Sequence, residues 1–519
     1  MIGADSPRTI RVNSRLTLNL GMRYDYYGYP VDTRGRLVNF LPDQFRVGTT
    51  AAPAGPPNGF VQAGNGTLPG VPTVADTLVA TDKNNFAPRV GFAFRLNDSA
   101  TLVARGGYGI YYDRFSTRYA NTQLLNYPYL ALAVGLPGIL RTMSDPFIPV
   151  PQPGAFPVNP TIPSPLSPLS PIVGVPISGI FIDPELRTPY IHQYNANVQW
   201  EFANNYLLEV GYVGSKGTKL LQVITLNQPV YNRAANVFTA PLGTALSTQK
   251  NVAGGIQQVQ SSSNSDYNSL QLSVTKRFSR GLQFLSAYTY GKSNDYYSGG
   301  TINELFAVPG DQLNWRTNYG PSDFDRRHRF VTSFVYDLPK LVSDSSTARV
   351  LLNNWQLNGI LTLQTGTPFS IVDIVGNNII QRANFAQGFS GDVLTSGSTQ
   401  SRLNGYFNTS AFVLSRPILA GTNLGTPNNP NFDPNNPFGN IPRNFLYGPG
   451  QKNMDFSVVK FIPITESVRG EFRTEFFNIF NWANFANPNN NIAVPSTFGR
   501  ITSTSAGPRV IQFAFKVNF

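Results

Sequence analysis

Apolar and polar residues alternate with period two along much of this chain. Tyr194, Ala196, Val198, Trp200 and Phe202 share one face of an extended strand, and Gln193, Asn195, Asn197, Gln199 and Glu201 share the other, because successive side chains in a strand point to opposite sides. Leu16, Leu18, Leu20, Met22, Tyr24 and Tyr26 oppose Thr17, Asn19, Gly21, Arg23 and Asp25 in the same way. Val90, Phe92, Phe94 and Leu96 oppose Arg89, Gly91, Ala93 and Arg95. Similar runs occur at Thr101–Asp113, Tyr206–Gly214, Leu270–Phe278, Leu282–Tyr290, Phe330–Leu338, Trp355–Leu363, Met454–Ile462 and Val468–Phe480. The last run is terminal: Ile511, Phe513, Phe515, Val517 and Phe519 oppose Gln512, Ala514, Lys516 and Asn518. The pattern predicts about twelve strands, each near the ~9–11 residues that a tilted membrane strand needs.

A water-soluble chain seldom finishes on so apolar a stripe, since chain ends fray into solvent. A transmembrane β-barrel finishes on one readily, with one face in lipid and the other on a wet lumen. The connections agree. Short polar turns at Asn97-Asp98-Ser99, Ala203-Asn204-Asn205, Ser279-Arg280-Gly281 and Pro463-Ile464-Thr465 alternate with the long segments Gly28–Asn85, Arg114–Pro189, Ser215–Asp266, Lys292–Arg327, Thr367–Gln451 and Asn481–Pro508. Pro339–Asn353 fills a short-turn slot but is of intermediate length. Strict alternation puts every long loop at one end of a barrel, and the short ends, with Phe519, at the periplasmic end. The fold class is therefore all-β: an antiparallel transmembrane β-barrel, open or partial, with long extracellular loops. The loops are rich in Gly, Pro, Asn and Ser and lack helical periodicity. Pro163–Pro171 reads as a polyproline II surface loop, and Asn428–Pro437, with Asp433, as ordinary turns.

Composition narrows the class. Charged residues make up 13% of the 519 residues and aromatic ones another 13%, against roughly 25% charged in soluble proteins. No run reaches the roughly 18 apolar residues of a spanning helix. The absence of cysteine removes disulfides and thiolate chemistry. The formal charge of +12 comes from scattered Lys and Arg, which gives no basic stripe for nucleic acid. No signal peptide follows Met1, because Asp5, Arg8, Arg11 and Arg15 interrupt any apolar core there.

From about Arg11 to the end, ordered motifs resemble a known family. They are Phe86-Ala87-Pro88-Arg89-Val90-Gly91-Phe92, Arg105-Gly106-Gly107-Tyr108-Gly109-Ile110-Tyr111-Tyr112-Asp113, Asp325-Arg326-Arg327-His328-Arg329-Phe330, Asn354-Trp355-Gln356-Leu357, Arg473–Asn481, Gly499-Arg500-Ile501 and Pro508–Phe519. The chain is similar there to the barrel of TonB-dependent receptors of the Oar-like type. The resemblance implies a roughly 22-stranded barrel with a plugged lumen, taking up a large solute with energy from an inner-membrane complex. Residues 1–519 would be the C-terminal portion of that barrel domain. The expected chain is a fragment without plug, energy-coupling box or signal peptide. Its partners would be outer-membrane lipid and lipopolysaccharide, the barrel-assembly machinery, the missing plug and barrel strands, and the energy-coupling complex. No nucleic acid and no cofactor are expected. A surface or adhesion barrel and a passive porin remain the alternatives.

One strand places Arg469, Glu471, Arg473 and Glu475 on the face opposite Val468, Gly470, Phe472, Thr474 and Phe476. A lipid-facing charge costs roughly 2–4 kcal/mol near the midplane, so these four are predicted to point into the lumen. They are expected either to ion-pair with neighbouring strands or to contact a plug or solute. The C-terminal strand residues Ile511, Phe513, Phe515, Val517 and Phe519 are, by resemblance, the signal read during membrane insertion. Both histidines, His192 and His328, have lipid-side parity at strand ends, a poor place for a general base. Asp323, Asp325 and His328 read as polar junction residues in preference to metal ligands. Gly106-Gly107-Tyr108-Gly109 lacks the lysine and helix of a phosphate loop and is expected to allow close strand packing. No catalytic or metal residue is assigned, and no enzyme is expected. Tyr24, Tyr26, Tyr27, Tyr111, Tyr112, Tyr288, Tyr290, Tyr336, Trp200 and Trp355 are predicted to form two aromatic girdles.

Overall fold

The computed structural model describes residues 2–45, 59–68, 71–115, 126, 179–242, 256–299, 310–342, 347–375, 379–415, 426–465 and 467–519. The proposed polyproline loop lies outside the described residues. Thirteen strands follow one another as neighbours in a single antiparallel sheet. They are β1 (Ile2–Arg11), β2 (Leu16–Tyr26), β3 (Phe86–Arg95), β4 (Leu102–Tyr112), β5 (Tyr190–Ala203), β6 (Tyr206–Thr225), β7 (Ile256–Ser279), β8 (Leu282–Asp295), β9 (His328–Asp337), β10 (Trp355–Gln364), β11 (Gln451–Pro463), β12 (Arg469–Phe477) and β13 (Val510–Asn518). Two short strands join at the side, Gly179–Ile182 beside β7 and Gly320–Pro321 beside β8. Among the described residues no ladder joins β1 to β13, so the sheet has two edges.

Twelve strands fall where the alternation predicts them; β1 is the addition. Its sequence, with Asp5, Pro7 and Arg8, hides the alternation, and its register with β2 is nonetheless continuous from Ile2↔Tyr26 to Arg11↔Thr17. Strand turns follow local chemistry. Arg280 and Gly281 both have positive φ, 51° and 79°, as a tight two-residue hairpin of matching twist requires. A Cβ on Gly281 would lie 2.6 Å from the Asp337 carbonyl oxygen.

Register carries the two faces across the whole sheet. Leu18, Phe92, Gly106, Ala196, Tyr212, Leu270, Tyr290 and His328 follow one another along the hydrogen-bonding direction, all on one face. The apolar side chains on that face are partly to largely exposed, Phe92 at 41% and Phe513 at 67% among them. A band of large apolar side chains running across a whole sheet needs a solvent other than water. Close packing on this face relies on glycine. The Phe92 ring lies over Gly106, Tyr194 over Gly214 and Phe334 over Gly359, so a Cβ on any of these glycines would meet the ring at 2.5 Å or less. Each is a cross-strand pair in register, an aromatic ring covering its neighbour's bare backbone.

Well-packed apolar clusters sit in the loops. The ends of β6 and β7 are where alternation gives way to continuous burial, at 222–225 and 256–259. There Val223 and Val259 pack with Tyr29, Val79, Phe115, Ile180, Ile182 and Leu186. Beside them Val38, Phe40, Phe60, Leu68, Phe181 and Ile256 form a second cluster. The strand Gly179–Ile182 runs parallel to β7. The Asn39 side chain donates to the Ile182 carbonyl at 2.7 Å and accepts from its N–H at 3.0 Å, and Asn126 does the same for Ile180. Two amide side chains thus supply the missing neighbour strand. Farther along the hydrogen-bonding direction, at the same loop-bearing end of the strands, the 365–450 and 478–509 connections contribute a third cluster around Phe369, Ile371, Phe407, Phe412, Ile441 and Phe498. These loops are folded caps, where the composition had predicted irregular segments. Two short α-helices occur among the described residues, α1 (Thr347–Leu352) in the β9–β10 connection and α2 (Thr399–Asn404) within the third cluster's loop.

Candidate functional site

β12 pairs with β11 and β13 in unbroken register. Arg469, Glu471, Arg473 and Glu475 therefore lie on the face opposite the apolar band, beside Pro463, Phe461, Val459 and Ser457 on one side and Asn518, Lys516, Ala514 and Gln512 on the other. The Arg473 guanidinium sits between two carboxylates of its own strand. Its Nε donates to Glu471 Oε1 at 3.1 Å and its Nη1 to Glu475 Oε1 at 3.3 Å, with a further Nη2 contact to Glu471. Arg469 lies 3.8 Å from the centroid of the Phe461 ring. Cross-strand pairing was expected of Arg473, but its flanking residues Val459 and Ala514 offer no charge. Residues two apart on one face are close enough for a long guanidinium to reach both.

The rest of the inner face mixes polar side chains with apolar ones such as Val103, Val213, Val331 and Val335. Arg23 pairs with Asp25 at 2.7 Å, and Arg89 lies 5.1 Å from the centre of the Tyr111 ring. Tyr111 thus shares the inner parity of Arg89 through Gly109, which removes it from the predicted girdle. Leu285 and Ile360 are apolar yet inward-facing and half exposed, flanking Ser333 in register. Tyr27 also leaves the girdle, being buried above the strand end. The remaining aromatics keep outward parity at the two ends. Both histidines face outward too, each with Nδ1 2.7 Å from a tyrosine hydroxyl, His192 with Tyr108 and His328 with Tyr288.

The outer rim carries a buried polar network with no periodic signature in the sequence. Arg443 bonds Asp295 through Nη1 at 2.5 Å and, through Nη2, Asp323 at 3.0 Å and the Ser298 hydroxyl at 2.5 Å. Asn444 donates to Asp323 and to the Pro321 carbonyl. Tyr447 donates to Asp325 at 2.7 Å while accepting from Arg327. Burial, together with the hydrogen bond to Asp325, pushes the Tyr447 hydroxyl up to about 12, so it stays a neutral donor. Arg326 donates to the Thr365 carbonyl at 2.8 Å. Burial, reinforced by the nearby Arg443 charge, lowers the Arg382 guanidinium to about 10. Asp323, Asp325 and His328 thus serve three different partners, and among the described residues no group of acidic or histidine side chains forms a metal cage. Asp433 accepts from the Asn435 N–H and the Asn436 amide, as turn chemistry predicts. Where sequence reasoning saw Asp325 and Arg327, it missed Asp295, Arg443 and Tyr447. An open recess of about 560 Å³ lies in the third cluster's cap, lined in part by Asn404, Phe407, Asn408, Phe498 and Arg500.

An antiparallel sheet with an apolar outer band, a charged inner face and its long connections folded at one end defines a transmembrane barrel protein of the Gram-negative outer membrane. The chain belongs to the family described as "Outer membrane beta barrel domain", whose model matches residues 9–512. No curated protein is significantly similar in sequence. Among solved structures, the chain is similar to FpvA of Pseudomonas aeruginosa bound to heterologous pyoverdines (10% identity, TM-score 0.41, 99% of this chain and 38% of that one). It is similar also to the outer-membrane transporter YddB of Escherichia coli (9%, 0.46, 97% and 43%). A third is the FrpB iron transporter of Neisseria meningitidis (9%, 0.41, 100% and 44%). The chain spans less than half the length of each.

Proposed function

We propose that this chain is barrel from a TonB-dependent receptor of the Oar-like kind, which takes up a large solute across the outer membrane. The observation that carries the reading is the pairing of a lipid-facing band with a charged inner face, beneath caps that fold the long outer connections into defined surfaces. The motif resemblance from about Arg11 onward supplies the energised mechanism. In that mechanism the caps select the solute. The inner face, with Arg473 between its two glutamates and the apolar spot at Leu285 and Ile360, leans on a plug domain. An inner-membrane complex supplies the energy, the barrel-assembly machinery inserts the chain, and lipopolysaccharide surrounds it. No reaction is assigned to it, since both histidines point outward and the inner-face carboxylates of β12 are engaged by arginine.

The folded caps favour one second reading, a surface barrel that binds a partner without uptake. Solute accumulation by cells producing the full-length protein separates the two. Accumulation that collapses on adding a protonophore supports the receptor. Binding without accumulation supports the surface barrel, and energy-independent flux through reconstituted vesicles supports a passive pore.

A further inference from the structure

The β9–β10 connection is the periplasmic one too long for a turn, and its described residues on either side are tied together. Asn353, 2% exposed, holds its two halves together: its Oδ1 accepts from the Leu341 and Val342 N–H groups, and its Nδ2 donates to the Val342 carbonyl. α1 is attached from the lipid side of the sheet. Trp355 and Lys460 are a register pair on the apolar face, in line with Leu357↔Val458 and Leu361↔Met454. Trp355 Nε1 donates to the Leu351 carbonyl at 2.8 Å, and Lys460 Nζ donates to the Leu351 and Asn353 carbonyls while lying 5.0 Å from the Trp355 ring. Two outward-facing side chains thus satisfy the carbonyls at the helix C-terminus, where a cation is favoured.

So placed, the segment exposes Leu341 at 72%, Val350 at 47%, Leu351 at 63% and Leu352 at 47%. Lys340 and Arg349 are exposed beside them. An apolar surface contiguous with the lipid band, edged by cations and anchored on a tryptophan, has the composition of a membrane-interface segment. We infer that α1 and Leu341 form a foot that inserts into phospholipid of the periplasmic leaflet, its apolar side chains among the upper acyl carbons and Lys340 and Arg349 at the phosphates. The inference rests on the membrane placement of the sheet and is independent of the transport reading.

The cysteine-free chain allows a clean test. Leu351→Cys, Leu341→Cys, Leu270→Cys in the lipid band and Ser99→Cys in a short turn are each nitroxide-labelled. The labelled proteins are reconstituted in vesicles of phosphatidylethanolamine and phosphatidylglycerol. Relaxation by oxygen relative to a water-soluble nickel complex reports depth. The foot is supported if positions 341 and 351 favour oxygen severalfold over position 99, approaching position 270. Nickel access at 351 equal to that at 99, with 270 still in hydrocarbon, overturns it. Shielding of 351 from both reagents also overturns it, since that means protein covers the helix. If position 270 itself reads as water, the membrane placement of the sheet falls and the foot falls with it.

Discussion

Arg473 shows how much of a residue's role the alternation can foretell. Parity in the sequence placed it on the inner face with Glu471 and Glu475, because four charges cannot share the lipid side with Phe472 and Phe476. The identity of its partners was not legible. It depended on which residues β11 and β13 bring alongside, and those turned out to be Val459 and Ala514. Since Arg473 remains 40% exposed, its pairing contributes modestly, about 0–1 kcal/mol. Glu471→Arg should therefore leave the amount of membrane-inserted protein unchanged while altering solute uptake or plug retention; a variant missing from the outer membrane would show the ladder to be structural. Arg443 is the opposite case. It and Asp295 are each 4% exposed, and nothing in the aperiodic stretch around residue 443 marked it. Arg443→Ala would leave Asp295 as a buried charge without its main partner, a loss of about 3–5 kcal/mol. Hydrogen exchange at the backbone amides of 293–298 and 443–447 should accelerate by at least two orders of magnitude, with the amides of β4 and β5 unaffected.

At the level of elements, strands were legible and caps were not, for one physical reason. A strand writes its environment in successive residues, so Tyr194 to Phe202 could be read directly. The caps join residues far apart in sequence. Phe40, Phe60 and Phe181 meet in tilted and edge-on contacts with ring centres 5.1 to 5.8 Å apart, and they do so only because the β2–β3 and β4–β5 connections come together at the tip of β7. The lengths of β6 and β7 were underestimated for the same cause: their outer halves are covered by loop residues and lose the period-two signal. β13 was fully legible. Its outward residues Phe513 and Phe515 are 67% and 62% exposed at the edge of the sheet, and Phe519, just past the strand, is 99% exposed. Deleting Phe519 should lower the quantity of heat-modifiable, membrane-inserted protein severalfold at equal synthesis, measured by gel shift of outer-membrane fractions. Equal insertion would dissociate the last residue from assembly.

For the whole molecule, strict alternation of short and long connections makes sidedness a sharp expectation. A membrane-impermeant maleimide applied to intact cells should label Asn435→Cys, in a cap, and spare Ser99→Cys until the outer membrane is breached. Labelling of both in intact cells would refute the orientation. The outward band and twelve of the thirteen strands follow from a rule that operates residue by residue, which explains why the architecture could be anticipated and the caps could not. The caps also constrain how such a protein can diversify. The first is assembled from the 27–85 and 113–189 connections and the tips of β6 and β7, the second from 365–450 and 478–509. Transplanting one connection into a related barrel would strand half of a hydrophobic cluster without its complement. A cap is therefore expected to change by residue substitutions on an intact cluster or by exchange of its contributing connections as a matched set.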